Sequence, residues 1–133
     1  MDRATLAAWI DAYERLWRTP GTGGLGELFA PDATYSMGPF EETQRGLAAI
    51  AELWERERAS HDEPFRMTYE IVAVERDTGV SRVEVAYDGP PPRHYRDLWI
   101  VRLDEAGRCT HFEEWPFWPE HGTYAPGATG GPD

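Results

Sequence analysis

Lysine is absent from this sequence, and all 13 of its basic residues are arginine. We attribute that absence to coding bias rather than to chemistry. The basic residues are outnumbered by 24 acids, which gives a formal net charge of −11. Neutralising phosphates requires a basic surface, so the charge balance argues against nucleic acid and against acidic membranes as partners.

Cysteine is almost absent as well, with Cys109 as the single example. No internal disulfide can form, and the chain is compatible with a reducing compartment. Cys109 is expected to be a small buried hydrophobic residue. A nucleophilic role would need a nearby base, and only His111, two residues along the same strand face, is a candidate.

Long apolar runs are missing too. No stretch approaches the roughly 20 residues that a membrane-spanning helix needs. The first residues, Met1 to Thr5, lack the basic-then-apolar pattern of a signal peptide. The sequence therefore predicts a cytoplasmic protein without membrane association.

What the 133 residues do contain is a large aromatic fraction, 13%, with six tryptophans. The length suits one domain with a real core and is too short for two. We predict a single domain over residues 1–118. Residues 119–133 are expected to form a loosely held tail, because residues 120–133 contain four Gly, two Pro and few core-forming residues.

Helices are predicted in the first half of the chain. Apolar residues recur every three or four positions between Leu6 and Trp17, which is typical of an amphipathic helix ended by Pro20 and Gly21. A short helix over residues 25–29 and a strand over residues 33–37 follow. Gly46 then opens a second long helix, whose apolar stripe includes Ile50 and Trp54.

The second half changes to strand periodicity. Strands are predicted at about residues 65–76, 80–87, 95–103 and 109–117, separated by turns rich in Gly, Pro and Asp. Helices followed by an antiparallel meander indicate the α+β class.

The last strand carries two adjacent acids among aromatic rings. Because side chains alternate along a strand, Glu114 shares a face with Phe112 and Pro116, whereas Glu113 shares the other face with Trp115. One of the two acids must point into the fold, where a carboxylate is costly unless it is paired, protonated or in use. A register one residue off would make Glu113 the inward acid.

Two segments resemble a known family. Residues 28–35, LFAPDATY, enter a strand, and residues 44–50, QRGLAAI, open a helix. Both segments, their spacing and the order of elements resemble the NTF2-like superfamily, particularly its SnoaL-like branch. The resemblance covers residues 5–118 and implies a cone-shaped, curved antiparallel sheet wrapped around the N-terminal helices, with a ligand cavity at its wide end.

That superfamily includes ketosteroid isomerases, scytalone dehydratase, limonene epoxide hydrolase, polyketide cyclases and proteins without catalysis, so the fold does not decide the function. Tyr13 matches an oxyanion-binding tyrosine of ketosteroid isomerases. The positions of their general base and second oxyanion acid hold Met37 and Trp99, so that machinery is not expected here. Epoxide hydrolases and polyketide cyclases instead place an acid about where Glu114 lies.

The resemblance and the face pattern together nominate a site. Glu114 is the candidate proton carrier, or alternatively a structural acid tied to an Arg or Tyr. Asp97 is expected in the same cavity as Glu114, where it could share a proton or a water with that acid. Alternatively, Arg93 on the same strand face could simply neutralise the charge of Asp97. Tyr13 is a candidate hydroxyl donor. His94 is a fourth candidate, provided that the proline-rich turn before it disturbs the strand register.

The predicted ligand contacts are aromatic or apolar residues, with core packing as the alternative for each: Trp17, Tyr35, Met37, Tyr69, Tyr87, Trp99 and Phe112. The four histidines, His61, His94, His111 and His121, have separations that match no metal motif. We therefore predict neither a metal nor a cofactor.

Outward-facing Leu98 and Ile100, with Trp115 beside them, predict a homodimer through the outer sheet face. The leading hypothesis is cofactor-independent acid–base chemistry on a small hydrophobic carbonyl or polycyclic compound: isomerisation, dehydration, cyclisation or epoxide opening. The alternative is a non-catalytic ligand-binding or dimeric interaction module.

Overall fold

The structure is a computed structural model that describes residues 1–58 and 63–119. Its first element is the helix α1 (Arg3–Trp17). Asp2 caps this helix, because its carboxylate accepts the Thr5 N–H at 2.8 Å. The predicted apolar stripe faces inward, with Leu6, Trp9 and Tyr13 all buried.

A short helix α2 (Leu25–Leu28) leads directly into strand β1 (Phe29–Ser36), which begins four residues earlier than the sequence pattern indicated. A two-residue strand β2 (Gln44–Arg45) and helix α3 (Leu47–Glu57) follow. Gly46 joins β2 to α3 with a φ of 89°, a conformation that favours glycine. Its N–H donates to the Ala33 carbonyl at 2.8 Å, which fixes the start of α3 against β1.

The second half consists of four long strands: β3 (Phe65–Glu75), β4 (Thr78–Tyr87), β5 (Arg93–Leu103) and β6 (Cys109–Phe117). In the described part of the chain they form one six-stranded sheet with β1 and β2, in the order β2-β1-β6-β5-β4-β3. The α+β class, with helices before a curved sheet, is confirmed. The sheet is mixed rather than wholly antiparallel, because β1 runs parallel to β6.

The register between β5 and β6 decides which acid points inward. Trp99 lies opposite Glu114, and Val101 lies opposite Phe112. Trp99, Val101 and Phe112 are all buried, so this face covers the core. Glu114 is therefore the inward acid, and the alternative register with Glu113 inward is wrong.

Glu113 is held on the outer face by its neighbours. Its carboxylate accepts the Trp115 indole N–H at 2.9 Å and lies 3.0 Å from His111 Nε2. The other nitrogen of that imidazole, Nδ1, lies 2.6 Å from Thr34 Oγ1 on β1. The hydrogen bond with His111 lowers the pKa of Glu113, which keeps this carboxylate ionised.

The core is formed by aromatic rings between the helices and the sheet. Phe112 is fully buried, with its ring centroid 5.0 Å from that of Trp99 and 4.7 Å from that of Tyr35. The Trp9 indole N–H donates to the Leu28 carbonyl at 3.0 Å, so its polar atom is satisfied inside this cluster. Among the described residues, no helix is both long enough and apolar enough to cross a membrane.

Candidate functional site

A cavity of about 1060 Å³ lies between the helices and the inward face of the sheet. Helices α1 and α3 contribute Tyr13, Trp17 and Trp54 to its wall, and the sheet contributes Trp99 and Glu114. The segment between β1 and β2 and the end of β6 complete its rim. The volume is at the upper end of the range of small-molecule sites, and aromatic walls combined with convergent polar groups are typical of them.

Two carboxyl groups form the polar centre of this cavity. Asp97 lies opposite Pro116, two positions from the Trp99–Glu114 pair, so Asp97 and Glu114 are diagonal neighbours on one sheet face. Their carboxyl groups are hydrogen-bonded to each other. A carboxylate only accepts hydrogen bonds, so one of the two must carry the proton that joins them.

The pKa of Glu114 is raised more strongly than that of Asp97, so we assign the proton to Glu114. Burial, followed by the hydrogen bond with Asp97, raises the pKa of Glu114 well above its ordinary value of 4.5. Part of the Glu114 side chain faces the cavity and keeps some exposure, while protein atoms enclose its carboxyl. Burial also raises the pKa of Asp97, but the hydrogen bond from Glu114 counteracts that rise.

Asp97 receives fewer hydrogen bonds than a buried carboxylate requires. The residue is only 6% exposed. Its Oδ2 accepts the Trp99 indole N–H at a long 3.4 Å, and its Oδ1 is buried without a partner among the non-acidic groups of the described chain. A proton on Glu114 is the donor that the structure offers to this carboxylate.

Two tyrosines extend the hydrogen-bonded chain. The Tyr13 and Tyr35 hydroxyl oxygens are 2.7 Å apart, and both residues are buried. The Tyr35 hydroxyl lowers the pKa of Glu114, as a hydroxyl that donates to a carboxylate does. Either hydroxyl of the tyrosine pair can be the donor at 2.7 Å. If Tyr35 donates to Glu114, its one proton is used and it accepts from Tyr13, which gives an order of donation from Tyr13 through Tyr35 and Glu114 to Asp97.

Burial raises the pKa values of Tyr13 and Tyr35 well above 10. Both hydroxyls therefore stay protonated at every physiological pH. They are suited to donating hydrogen bonds, and not to acting as bases.

Packed rings support this polar chain. The Tyr13 ring centroid lies 4.9 Å from that of Trp54 and 4.6 Å from that of Trp99. Trp17 stacks beside Tyr13 at 6.2 Å. Because each ring is held by its neighbours, the hydroxyls have little freedom to move.

The cavity mouth holds a different set of contacts. Arg93 pairs with Glu63, and its guanidinium lies 4.4 Å from the centre of the Tyr87 ring. The predicted alternative, in which Arg93 neutralises Asp97, is not what the structure shows, because the guanidinium is directed to Glu63 instead.

The sequence profile of the SnoaL-like domain family matches residues 7–112 of this chain. The chain belongs to the SnoaL-like domain family. No curated protein sequence matches it significantly.

Solved structures similar to this SnoaL-like domain share its fold at low sequence identity. One is a hypothetical protein from Catenulispora acidiphila with a ketosteroid isomerase-like fold, in complex with trimethylamine: 20% identity, TM-score 0.65, 86% of each chain covered. Another is a steroid delta-isomerase from Pseudomonas aeruginosa: 18% identity, TM-score 0.63, 90% of this chain and 84% of that one. A third, from Mycobacterium tuberculosis, has 14% identity and a TM-score of 0.69, covering 91% of this chain and 96% of that one.

Most residues that the sequence nominated line the cavity of this SnoaL-like domain. The three acid–base candidates placed there are Glu114, Asp97 and Tyr13, and the nominated ligand contacts placed there are Trp17, Tyr35, Met37, Tyr87 and Trp99. Sequence reasoning did not nominate Trp54, which also lines the cavity. Its position on the apolar stripe of α3 could have indicated a cavity-lining residue, but the same position is equally typical of a residue packed in the core.

Three nominated residues lie elsewhere. His94 is exposed on the outer face, 3.2 Å from Glu84, because the turn before β5 leaves the strand alternation intact. The Tyr69 hydroxyl is bound to α1, 3.0 Å from the Asp11 carboxylate. Phe112 is fully buried against Trp99 and Tyr35 and does not line the cavity. These three predictions are corrected accordingly.

Cys109 is also outside the cavity. Burial raises the pKa of its thiol to about 12, which disfavours the reactive thiolate. His61, His121 and the predicted tail from residue 120 fall outside the described residues. Within the described residues, no three or more His, Cys, Asp or Glu side chains are grouped in a way that could hold a metal ion.

Proposed function

We propose that this cavity carries out general acid–base chemistry on a small, predominantly apolar compound, with Glu114 as the proton carrier. The observation that carries the proposal is the hydrogen-bonded Asp97–Glu114 pair, which faces a cavity large enough for such a ligand. A carboxyl group with a raised pKa is suited to exchanging protons near neutral pH.

The roles follow from the order of hydrogen bonds. Glu114 in its protonated form donates to an oxygen of the substrate, such as a carbonyl, epoxide or leaving hydroxyl oxygen. Asp97 stabilises the proton on Glu114 before transfer, and its charge favours return of a proton afterwards. Tyr35, bonded to Tyr13, is placed to stabilise the carboxylate that remains.

This arrangement supports isomerisation, dehydration or cyclisation, in which side chains need only transfer protons, and epoxide opening, in which a water molecule attacks the carbon as the protonated C–O bond breaks. The proposal invokes no cofactor. The rings of Trp17, Trp54 and Trp99 offer the apolar surface for a carbonyl or polycyclic compound.

A second candidate is a non-catalytic binding protein. The observation that favours it is the complete anchoring of the inward acid: Glu114 is bonded to both Asp97 and Tyr35. A fully engaged carboxyl can serve the structure alone.

Replacement of Glu114 by Gln separates the two candidates. The amide keeps the shape of the side chain and cannot exchange a proton. Candidate apolar ketones, enones and epoxides are first screened for quenching of tryptophan fluorescence, since five indoles line the cavity. Compounds that bind are then assayed for conversion by wild type and variant.

General acid–base catalysis predicts that Glu114→Gln retains the fold and ligand binding but lowers kcat by about 100-fold or more. Glu113→Gln is the matched control, because the same substitution one residue away lies on the outer face. Bound compounds that the wild type does not convert, or equal turnover by wild type and Glu114→Gln, would support the binding protein instead.

The remaining proposals concern the whole protein. We propose a homodimer formed through the outer sheet face, where Leu98 lies opposite Trp115 and both are only partly buried. A single domain over residues 1–118 and a cytoplasmic location complete the proposal. The location is supported by the single unpaired cysteine.

A further inference from the structure

The acidic centre of the cavity has no cationic partner among the described residues. The groups that shift the pKa values of Asp97 and Glu114 are each other, Glu57, Tyr35 and Trp99. None of these is a base. The pair therefore holds one buried negative charge that only hydrogen bonds stabilise, an arrangement that is costly in a protein interior.

The arginines nearest to this centre are engaged elsewhere. Arg93 shares the inward face of β5 with Asp97 but pairs with Glu63 at the mouth. Arg56 lines the cavity from α3, and its guanidinium lies 3.8 Å from the Glu52 carboxylate on the exposed side of that helix. Asp97 is only 6% exposed and has no counter-ion among the described residues, and its buried Oδ1 has no hydrogen-bond partner other than the acid Glu114.

The rest of the cavity is also acidic. Among the described residues, its lining contains five carboxyl side chains and two arginines. One of the five, Glu57 on α3, is close enough to contribute to the raised pKa of Glu114. Negative charges that line one cavity reinforce each other and attract a cation from solution.

Aromatic faces supply the second requirement for binding a cation. Tryptophan is the most favourable ring for this contact, and Trp17, Trp54 and Trp99 all line the cavity. Two rings at the mouth already contact guanidinium groups: Arg18 lies 3.9 Å from the Phe65 ring centre, and Arg93 lies 4.4 Å from that of Tyr87.

We propose that the cavity selects apolar compounds that carry a cationic, alkylated ammonium group, with the ammonium beside Asp97 and the apolar body against the tryptophans. An alkylated ammonium suits this site better than a primary one, because its carbon substituents can contact rings while its charge faces the carboxylate. This inference rests on the proposed function only in that both place a small molecule in the same cavity.

Such a ligand would also change the acid–base state of the pair. A cation beside Asp97 and Glu114 favours their ionised forms and lowers the pKa of Glu114. A lower pKa makes Glu114 a stronger acid, so the bound cation would favour donation of its proton to the compound.

The test compares benzyltrimethylammonium with neopentylbenzene, its uncharged isostere. Both are titrated against the full-length protein by tryptophan fluorescence, in buffer with enough salt to screen the net charge of the chain. We expect the wild type to bind the ammonium compound about tenfold more tightly than the isostere. Affinity for this permanent cation should rise with pH, as the carboxyl pair loses its proton, while affinity for the isostere stays constant.

Asp97→Asn should weaken binding of the ammonium compound about tenfold and change binding of the isostere less than about twofold. Glu113→Gln, the control on the outer face, should alter neither. If Asp97→Asn fails to fold, two measurements on the wild type test the inference instead. They are the ratio of its affinities for the ammonium compound and the isostere, and the change of that ratio with pH.

Equal affinity for the two probes, binding of neither, or an equal effect of Asp97→Asn on both would overturn the inference. The outcome is separable from that of the acid–base proposal. Unchanged turnover in Glu114→Gln would contradict the chemistry and leave ammonium selectivity standing, whereas equal binding of the two probes would contradict the ligand class and leave the chemistry standing.

Discussion

The carboxyl groups of Asp97 and Glu114 are hydrogen-bonded to each other across two neighbouring strands of the sheet, which requires a proton on one of them. The antiparallel register places Trp99 opposite Glu114 and so brings Asp97, two residues earlier on β5, diagonally beside it. The two carboxyls form one unit, in which the proton on Glu114 satisfies Asp97 and the charge on Asp97 retains that proton.

The shared proton predicts how stability depends on pH. The folded state raises the pKa of Glu114, so between pH 4.5 and that raised value it binds more protons than the unfolded state. Its contribution to the unfolding free energy is complete below pH 4.5 and is lost as the pH rises through the folded pKa. Glu114→Gln removes this contribution, so its stability relative to the wild type should increase with pH.

Thermal unfolding of wild type and Glu114→Gln across the pH range measures this difference directly, because titrating groups that do not interact with Glu114 cancel in it. Glu113→Gln should show the opposite trend, because the pKa of Glu113 is lowered. A difference between wild type and Glu114→Gln that does not vary with pH would contradict the raised pKa.

Tyr35→Phe tests the direction of the hydrogen-bonded chain. The substitution removes the donor to Glu114 and leaves the buried Tyr13 hydroxyl without its partner at 2.7 Å. We expect a loss of about 1–3 kcal/mol in unfolding free energy from urea denaturation. The pKa of Glu114 should rise further, because Tyr35 lowers it in the intact protein.

Tyr13→Phe is the control for that experiment. It removes the far end of the chain and leaves the contact between Tyr35 and Glu114 in place. Its effect on the pKa of Glu114 should be smaller than that of Tyr35→Phe. If the two variants shift this pKa equally, the order of donation is incorrect.

Phe112→Ala tests the corrected role of Phe112 as a support beneath the cavity. Its ring is fully buried against Trp99 and Tyr35, so truncation should cost about 3–5 kcal/mol of unfolding free energy. Phe40→Ala removes a ring that is 97% exposed and should change stability by less than about 0.5 kcal/mol.

Urea denaturation measures both variants, and Phe112→Leu supplies an intermediate case if the alanine variant does not fold. A small loss for Phe112→Ala would mean that the ring is not part of the core.

Sedimentation equilibrium tests the proposed dimer. The wild type should have twice the 15.1 kDa mass of the chain. Leu98→Asp places a charge on the outer face opposite Trp115 and should give a monomer, whereas Leu98→Ala should dimerise more weakly than the wild type. A monomeric wild type at micromolar concentration would contradict the dimer, and a dimeric Leu98→Asp variant would place its interface elsewhere.

Local sequence pattern located the long helices and the last four strands, and the family resemblance was needed for the site. The alternation of side chains in β6 placed Glu114 with Phe112 on one face and Glu113 with Trp115 on the other, the resemblance favoured the first face as inward, and the buried residues opposite it in the structure confirm that choice. The three- and four-residue spacing of apolar side chains located α1 in the same way. These are relationships between residues close in sequence.

The errors came from relationships that pattern does not encode. The parallel pairing of β1 with β6 joins strands more than 70 residues apart, and hydrophobic alternation specifies faces but not strand direction. Trp54 was missed, and Phe112 was assigned to the ligand, because an inward position does not reveal whether a side chain meets a neighbour or a cavity. Whether an inward side chain packs against a neighbour or lines the cavity depends on how the helices cross the sheet.

The most direct test of the central claim is a titration of the Glu114 side-chain carboxyl carbon by NMR in selectively labelled protein. The account predicts that Glu114 remains protonated well above its ordinary pKa of 4.5, and that Asp97→Asn lowers its pKa by removing the charge that retains the proton. Titration of Glu114 near 4.5, unchanged by Asp97→Asn, would contradict a shared proton in this cavity.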